Sequence, residues 1–146
     1  AFHAYDLRPS DRDNPRGEPL QVLFNNDVAV FVSQRSEPMP FCFRNADGDE
    51  VHFVHKGQGV LQSDFGPLAY TEGDYLVIPK GTSYRIVPET RDNFFLIIQS
   101  RGPIGFPERS GVGHYAPFDY DVIEIPEPQA VTEQRDEWEL RVKRRG

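Results

Sequence analysis

Glu50 and His52 stand two positions apart in the segment Glu50-Val-His-Phe-Val-His55. A strand sends side chains i and i+2 to one face, so this carboxylate and imidazole face the same way and His55 faces the other. Side by side, they are two of the three groups that a 2-His-1-carboxylate iron site requires. Two ligands leave such a site incomplete, and the expected arrangement is an internally hydrogen-bonded pair. His114 could supply a third ligand, although nothing in its spacing brings it to Glu50. Glu50, His52 and His114 are therefore the metal candidates, and no catalytic or cofactor-binding residue is assigned. His3 lies in a polar leader and is expected to be solvated. Tyr84 is expected to form pocket wall with its hydroxyl satisfied, a substrate contact being the alternative. Cys42, the only cysteine, lies between Phe41 and Phe43 and is expected to be a buried, inert thiol. It allows neither an intrachain disulfide nor a multi-cysteine zinc site. No order of Ser, His and Asp suggests a nucleophile elbow.

The elements that must position these residues are short strands. Leu20-Gln-Val-Leu-Phe24 and Val28-Ala-Val-Phe-Val-Ser33 flank an Asn25-Asn-Asp27 turn. Pro40–Arg44 precedes an Asp47-Gly48 turn, and the Glu50–His55 strand follows. Val60–Phe65, Pro67–Tyr70, Asp74–Ile78, Thr82–Val87 and Phe94–Gln99 complete the run. Residues 20–100 are thus expected to be all-β, a sandwich or barrel of eight or nine strands. Nothing there has a sustained helical period.

Residues 1–19 are expected to be an arm, polar and broken by Pro9, Pro15, Gly17 and Pro19. Residues 101–146 are expected to be a connector loop and a strand extension. The glycines Gly102, Gly105, Gly111 and Gly113 do not join a strand to a helix, so they are expected to pack a connector and not to cradle phosphate. Tyr120–Ile125 is a candidate strand. Glu137-Trp-Glu-Leu-Arg-Val-Lys143 alternates, which predicts an apolar face of Trp138, Leu140 and Val142 and a solvated face of Glu139, Arg141 and Lys143, an anion contact by the basic end Arg141–Arg145 being the alternative. That strand needs a partner sheet.

The chain has 146 residues, one domain's worth, and a net charge of −7. Neither a nucleic acid nor an anionic membrane is an expected partner for that charge. The longest apolar runs, Val28–Val32 and Phe94–Ile98, fall far short of the ~18 residues of a membrane span. With one cysteine and no apparent signal peptide, the expected compartment is the cytoplasm.

Two stretches resemble the paired motifs of the cupin superfamily. They are Asp49-Glu-Val-His-Phe-Val-His-Lys-Gly-Gln-Gly59 and Gly73-Asp-Tyr-Leu-Val-Ile-Pro-Lys-Gly81. The wider set, Phe43–Asp49, Lys56-Gly57, Asp64-Phe-Gly66, Ile78–Gly81, Tyr84-Arg-Ile86 and Gly102–Gly105, resembles the N-terminal half of homogentisate 1,2-dioxygenases. The resemblance implies a cupin-type jelly-roll barrel with an N-terminal arm and a C-terminal extension. It also implies an Fe(II)- and O2-dependent enzyme that opens an aromatic ring in tyrosine and phenylalanine breakdown. The iron ligands would lie in the C-terminal cupin half, which would be this half's partner within a trimer or hexamer. No iron would then be held in this chain, whose role would be scaffold and oligomer builder. Departures from the catalytic pattern agree: no His precedes Glu50 at motif spacing, and Tyr84 stands where the second motif places a His. The alternative is a stand-alone cupin that binds a small molecule and lacks the usual metal site.

Overall fold

The computed structural model describes residues 3–105, 119–130 and 137–145. Ten strands are found among them. Those of the first sheet are β1 (Leu20–Phe24), β2 (Val28–Ser33), β4 (Asp49–Lys56), β7 (Tyr75–Ile78) and β9 (Phe94–Ser100), in the order β1-β2-β9-β4-β7. The second holds β3 (Cys42–Asn45), β5 (Gly59–Ser63), β6 (Gly66–Tyr70), β8 (Ser83–Pro88) and β10 (Leu140–Lys143), in the order β10-β3-β8-β5-β6. The two sheets close over one apolar core in a cupin-type jelly roll. Inward residues of both sheets fill that core, among them Val54, Leu61, Tyr70, Leu76, Ile86 and Phe95. Removing these side chains from water is the main force holding the sheets together.

Turn chemistry sets the strand lengths. Gly57, between β4 and β5, sits at φ +100°, and a Cβ there would collide with the Asn93 amide oxygen. Only glycine meets both demands. Asn45 closes the β3–β4 turn, its side-chain oxygen accepting from the backbone N–H of Asp47 at 2.9 Å. Asp49 then ties two neighbouring loops to β4 by accepting from the backbone N–H groups of Lys80 and Ile104.

The outer face of the first sheet is apolar in two full rows. Strand register aligns Leu23, Val30, Ile98, Val51 and Val77 in one row, and Leu20, Val32, Leu96, Phe53 and Tyr75 in the next. A bulge at Gln21–Leu23 keeps both β1 residues on that face. Leu20, Leu23, Tyr75 and Val77 are exposed at the flanks, Val32 on β2 is buried, and the residues between are half-buried.

Two expectations are corrected at the C-terminal end. Tyr120–Ile125 is not a strand: Tyr120–Val122 forms a 3-10 turn capped by the Asp119 carboxylate, and irregular chain follows. The Trp138 segment does form a strand, β10, and it finds its partner within the chain. It runs parallel to β3, pairing Arg141 with Phe43 and Lys143 with Asn45. That register reverses the expected faces. Phe43 and Asn45 point into the barrel, so Arg141 and Lys143 do too, half-buried, while Leu140 and Val142 are 45% and 51% exposed. Long basic side chains tolerate this because their aliphatic stems line apolar wall while the charged ends find partners.

The arm is also more than a leader. Pro9, Asp11 and Gly17 are buried against the barrel, and Asp11 is 1% exposed. Arg35, which follows β2, donates to the carbonyls of Pro15 and Gly17 at 2.7 Å each and fastens the arm.

Candidate functional site

Glu50 lies inside the barrel on β4, 1% exposed. Four side chains donate to its two carboxylate oxygens. The Tyr84 hydroxyl from β8 at 2.5 Å and His52 Nε2 from β4 at 3.0 Å reach Oε2. The amides of Asn45 from β3 and Gln99 from β9 reach Oε1, each at 2.8 Å. An ionised carboxylate only accepts, so His52 Nε2 carries the hydrogen of its bond. Burial pushes the Glu50 carboxyl up, but the hydrogen bonds from His52, Tyr84 and Asn45 outweigh it and hold the group below the usual carboxylate value. For Tyr84, burial and then the neighbouring Glu50 charge push the phenol well above its ordinary value, so it stays a donor.

Each partner's place follows from local sequence. His52 shares the inward face of β4 with Glu50 by simple alternation. Pairing of β4 with β9 sets Gln99 opposite Glu50, and Asn45 is aimed by the turn that it closes. Tyr84 sits against Phe43 and His52, ring centroids 5.8 and 5.7 Å away.

Above this cluster opens a cavity of about 420 Å³. Its apolar wall includes Phe31, Met39, Phe41, Phe43, Phe95 and Ile97. Its polar wall adds His52, Arg35, Arg141 and Lys143. Arg141 stacks on the Phe41 ring with Cζ 3.8 Å from the centroid and donates to Glu139. Lys143 Nζ donates to Gln99 Oε1 at 2.5 Å, which links it through Gln99 to Glu50.

The other sequence candidates lie elsewhere. His55 is on the outer face against Tyr5 and Phe94, ring centroids 5.6 and 5.7 Å away. His114 and the glycines Gly111 and Gly113 lie outside the described residues. Cys42 is half-buried, and desolvation pushes its thiol up, which disfavours the reactive thiolate. Sequence reading did not single out Asn45 or Gln99 as site residues, and it placed Arg141 and Lys143 on a solvated face, with an anion contact only as the alternative. Asn45 reads as a turn residue and Gln99 as a strand end, and only the pairing of distant strands brings them together.

An iron of the 2-His-1-carboxylate kind does not fit the described residues. Glu50 has both oxygens filled by protein donors, one imidazole is at hand, and Tyr84 stands at the second motif's ligand position. Among the described residues, no three His, Cys, Asp or Glu gather into a metal-holding group. No described helix is long and apolar enough to cross a membrane.

No family model matches the chain. It is 37% identical over 79 residues to a protein of Saccharolobus solfataricus called putative dioxygenase, a match covering 53% of this chain and 21% of that one. It is 31% identical over 72 residues to homogentisate 1,2-dioxygenase of Bradyrhizobium diazoefficiens, covering 49% of this chain and 16% of that one. The matched stretch is thus about a fifth of either relative or less. In structure it is similar to KdgF from Halomonas sp., with TM-score 0.58, 16% identity, and 69% of this chain and 92% of that one covered. A cupin-2 domain protein from Shewanella frigidimarina gives TM-score 0.50 and 23% identity over 57% of this chain and 80% of that one. Fold and partial sequence likeness together make this chain a cupin-type domain, with dioxygenases among the proteins that it is similar to.

Proposed function

We propose that the chain is the non-catalytic N-terminal cupin half of a homogentisate 1,2-dioxygenase-like, ring-cleaving enzyme of the cytoplasm. Its work is to build the oligomer and to support a C-terminal cupin half that holds the Fe(II) and acts with O2 on the aromatic substrate. One observation carries this reading: the carboxylate at the cupin motif position, Glu50, is consumed by four internal hydrogen bonds. It acts as a structural tie between β3, β4, β8 and β9. The exposed ends of the two outer apolar rows, Leu20 and Leu23 on one edge and Tyr75 and Val77 on the other, with half-buried apolar residues between, support the assembly role, since exposed apolar patches mark interaction surfaces.

The test is an assay of the full-length gene product with homogentisate, Fe(II) and O2, read as formation of the ring-opened product maleylacetoacetate. Product formation is expected, and its absence sinks the assignment. Glu50→Gln in that enzyme is expected to keep its iron content and turnover per iron while lowering thermal stability. Loss of iron in proportion would show instead that Glu50 is a ligand. A Val30→Lys, Ile98→Lys double variant is expected to reduce the assembly to smaller species in sedimentation. A second reading, the stand-alone small-molecule cupin, is favoured by the cavity of about 420 Å³. A gene product that lacks a C-terminal cupin half and is monodisperse would decide for it.

A further inference from the structure

The barrel cavity carries polar groups that the Glu50 cluster does not consume. Lys143 is half-buried at the cavity wall, and its one hydrogen bond among the described residues goes to the neutral amide of Gln99. No carboxylate lies within ion-pair reach of it among the described residues, whereas Arg141 shares Glu139 with Arg16. His52 is 3% exposed and lines the cavity, and its Nε2 is engaged by Glu50. A half-buried ammonium that meets a neutral amide and the Phe31 ring, 5.2 Å from its centroid, in an aromatic-walled cavity is unusual if nothing enters.

We propose that this cavity binds a small organic monocarboxylate, its anionic head at Lys143 beside Arg141 and its uncharged apolar body between the rings of Phe31, Phe43 and Phe95. The charge pattern selects the class. Lys143 can compensate one anionic head, Arg141 being already shared with Glu139. The floor is the Glu50 carboxylate, which repels a second negative charge, so a dianion or a diphosphate is disfavoured. The rest of the wall offers aromatic and aliphatic surface together with the His52 ring. The basic end is built by β10, the strand that pairs in parallel with β3. This site is independent of where iron is held and stands under either reading of the whole protein.

The probes are 3-phenylpropionate and its neutral counterpart 3-phenylpropanol, titrated into the 146-residue chain. Binding is read by calorimetry and by the ring signals of His52 in NMR. The acid is expected to saturate with a sub-millimolar dissociation constant, to move the His52 ring signals, and to bind at least about tenfold more tightly than the alcohol. Lys143→Met is expected to bring the acid down to the affinity of the alcohol, and Lys143→Arg to retain the preference. Equal affinity for acid and alcohol, no saturation, or unmoved His52 signals would overturn the proposal. So would a Lys143→Met chain that keeps the preference. If Lys143→Met fails to fold, the comparison of acid and alcohol in the unaltered chain decides alone. Ring cleavage by the full-length enzyme is a separate measurement, so either claim can fall without the other.

Discussion

Two carboxylates are buried to the same 1% exposure and behave in opposite ways. Glu50, within the barrel, accepts from four side chains and is held below the ordinary carboxylate value. Asp11, in the arm, accepts from the Ser33 hydroxyl at 2.6 Å and the Gln34 backbone N–H at 3.1 Å. The Arg35 guanidinium lies 3.9 Å away with bonds committed to the Pro15 and Gly17 carbonyls. For Asp11 burial outweighs the help from Ser33, Gln34 and Arg35, and its carboxyl is pushed up. Depth alone therefore does not set the charge of a buried acid. The number of donors aimed at it does, and four strands can aim more of them than an arm laid over a surface.

The sharpest way to break this contrast is Glu50→Leu, which orphans four donors. It is expected to cost about 4 kcal/mol in urea unfolding, since stranded buried polar groups carry their full desolvation penalty. Arg35→Met strands Asp11 and two arm carbonyls and is expected to cost about 3 kcal/mol, with faster proteolysis within residues 3–19. A loss concentrated in the arm, with the barrel's exchange protection intact, would show the two regions to be separable. Tyr84→Phe removes one donor to Glu50 and is expected to cost about 1–2 kcal/mol.

The pH dependence sharpens the comparison further. Glu50 has a folded value below its unfolded value near 4.5, so its contribution is full above that pH and is lost as pH falls toward the folded value. Asp11 has a folded value above 3.8, so it carries a penalty at neutral pH that is relieved as pH falls through the folded value. Glu50→Gln is therefore expected to flatten the acid loss of stability, and Asp11→Asn to steepen it slightly. The smallest effect is Asp11→Asn at neutral pH, within about 1 kcal/mol of the unaltered chain, because Ser33 and Gln34 can still donate to the amide oxygen. If Asp11→Asn proved as damaging as Glu50→Leu, donor count would not be the controlling quantity.

Much of the barrel was legible in the sequence because strands of this kind declare themselves locally. The runs Val28–Val32 and Phe94–Ile98 are apolar at every position, the pattern of strands covered on both faces. The structure gives the second face its meaning as the two outer rows. The shared face of Glu50 and His52 was equally local. Three other partners of Glu50 were not, because register between β3, β4, β8 and β9 depends on turns and bulges acting over long separations. β10 shows the limit most plainly. Its own alternation argued for buried Leu140 and Val142, but the edge of β3 decided which side would face in.

That pairing also has a consequence in time. Leu140 meets Cys42 across about a hundred residues of chain, a contact of high closure entropy that is expected to form late in folding. During synthesis the antiparallel barrel can assemble from β1 to β9 while the outer edge of β3 still waits, its hydrogen-bonding groups open to neighbours. A nascent chain is then most vulnerable to mispairing in the interval before Leu140–Lys143 emerges. The strand that completes the basic wall of the cavity is also the one that ends this exposure.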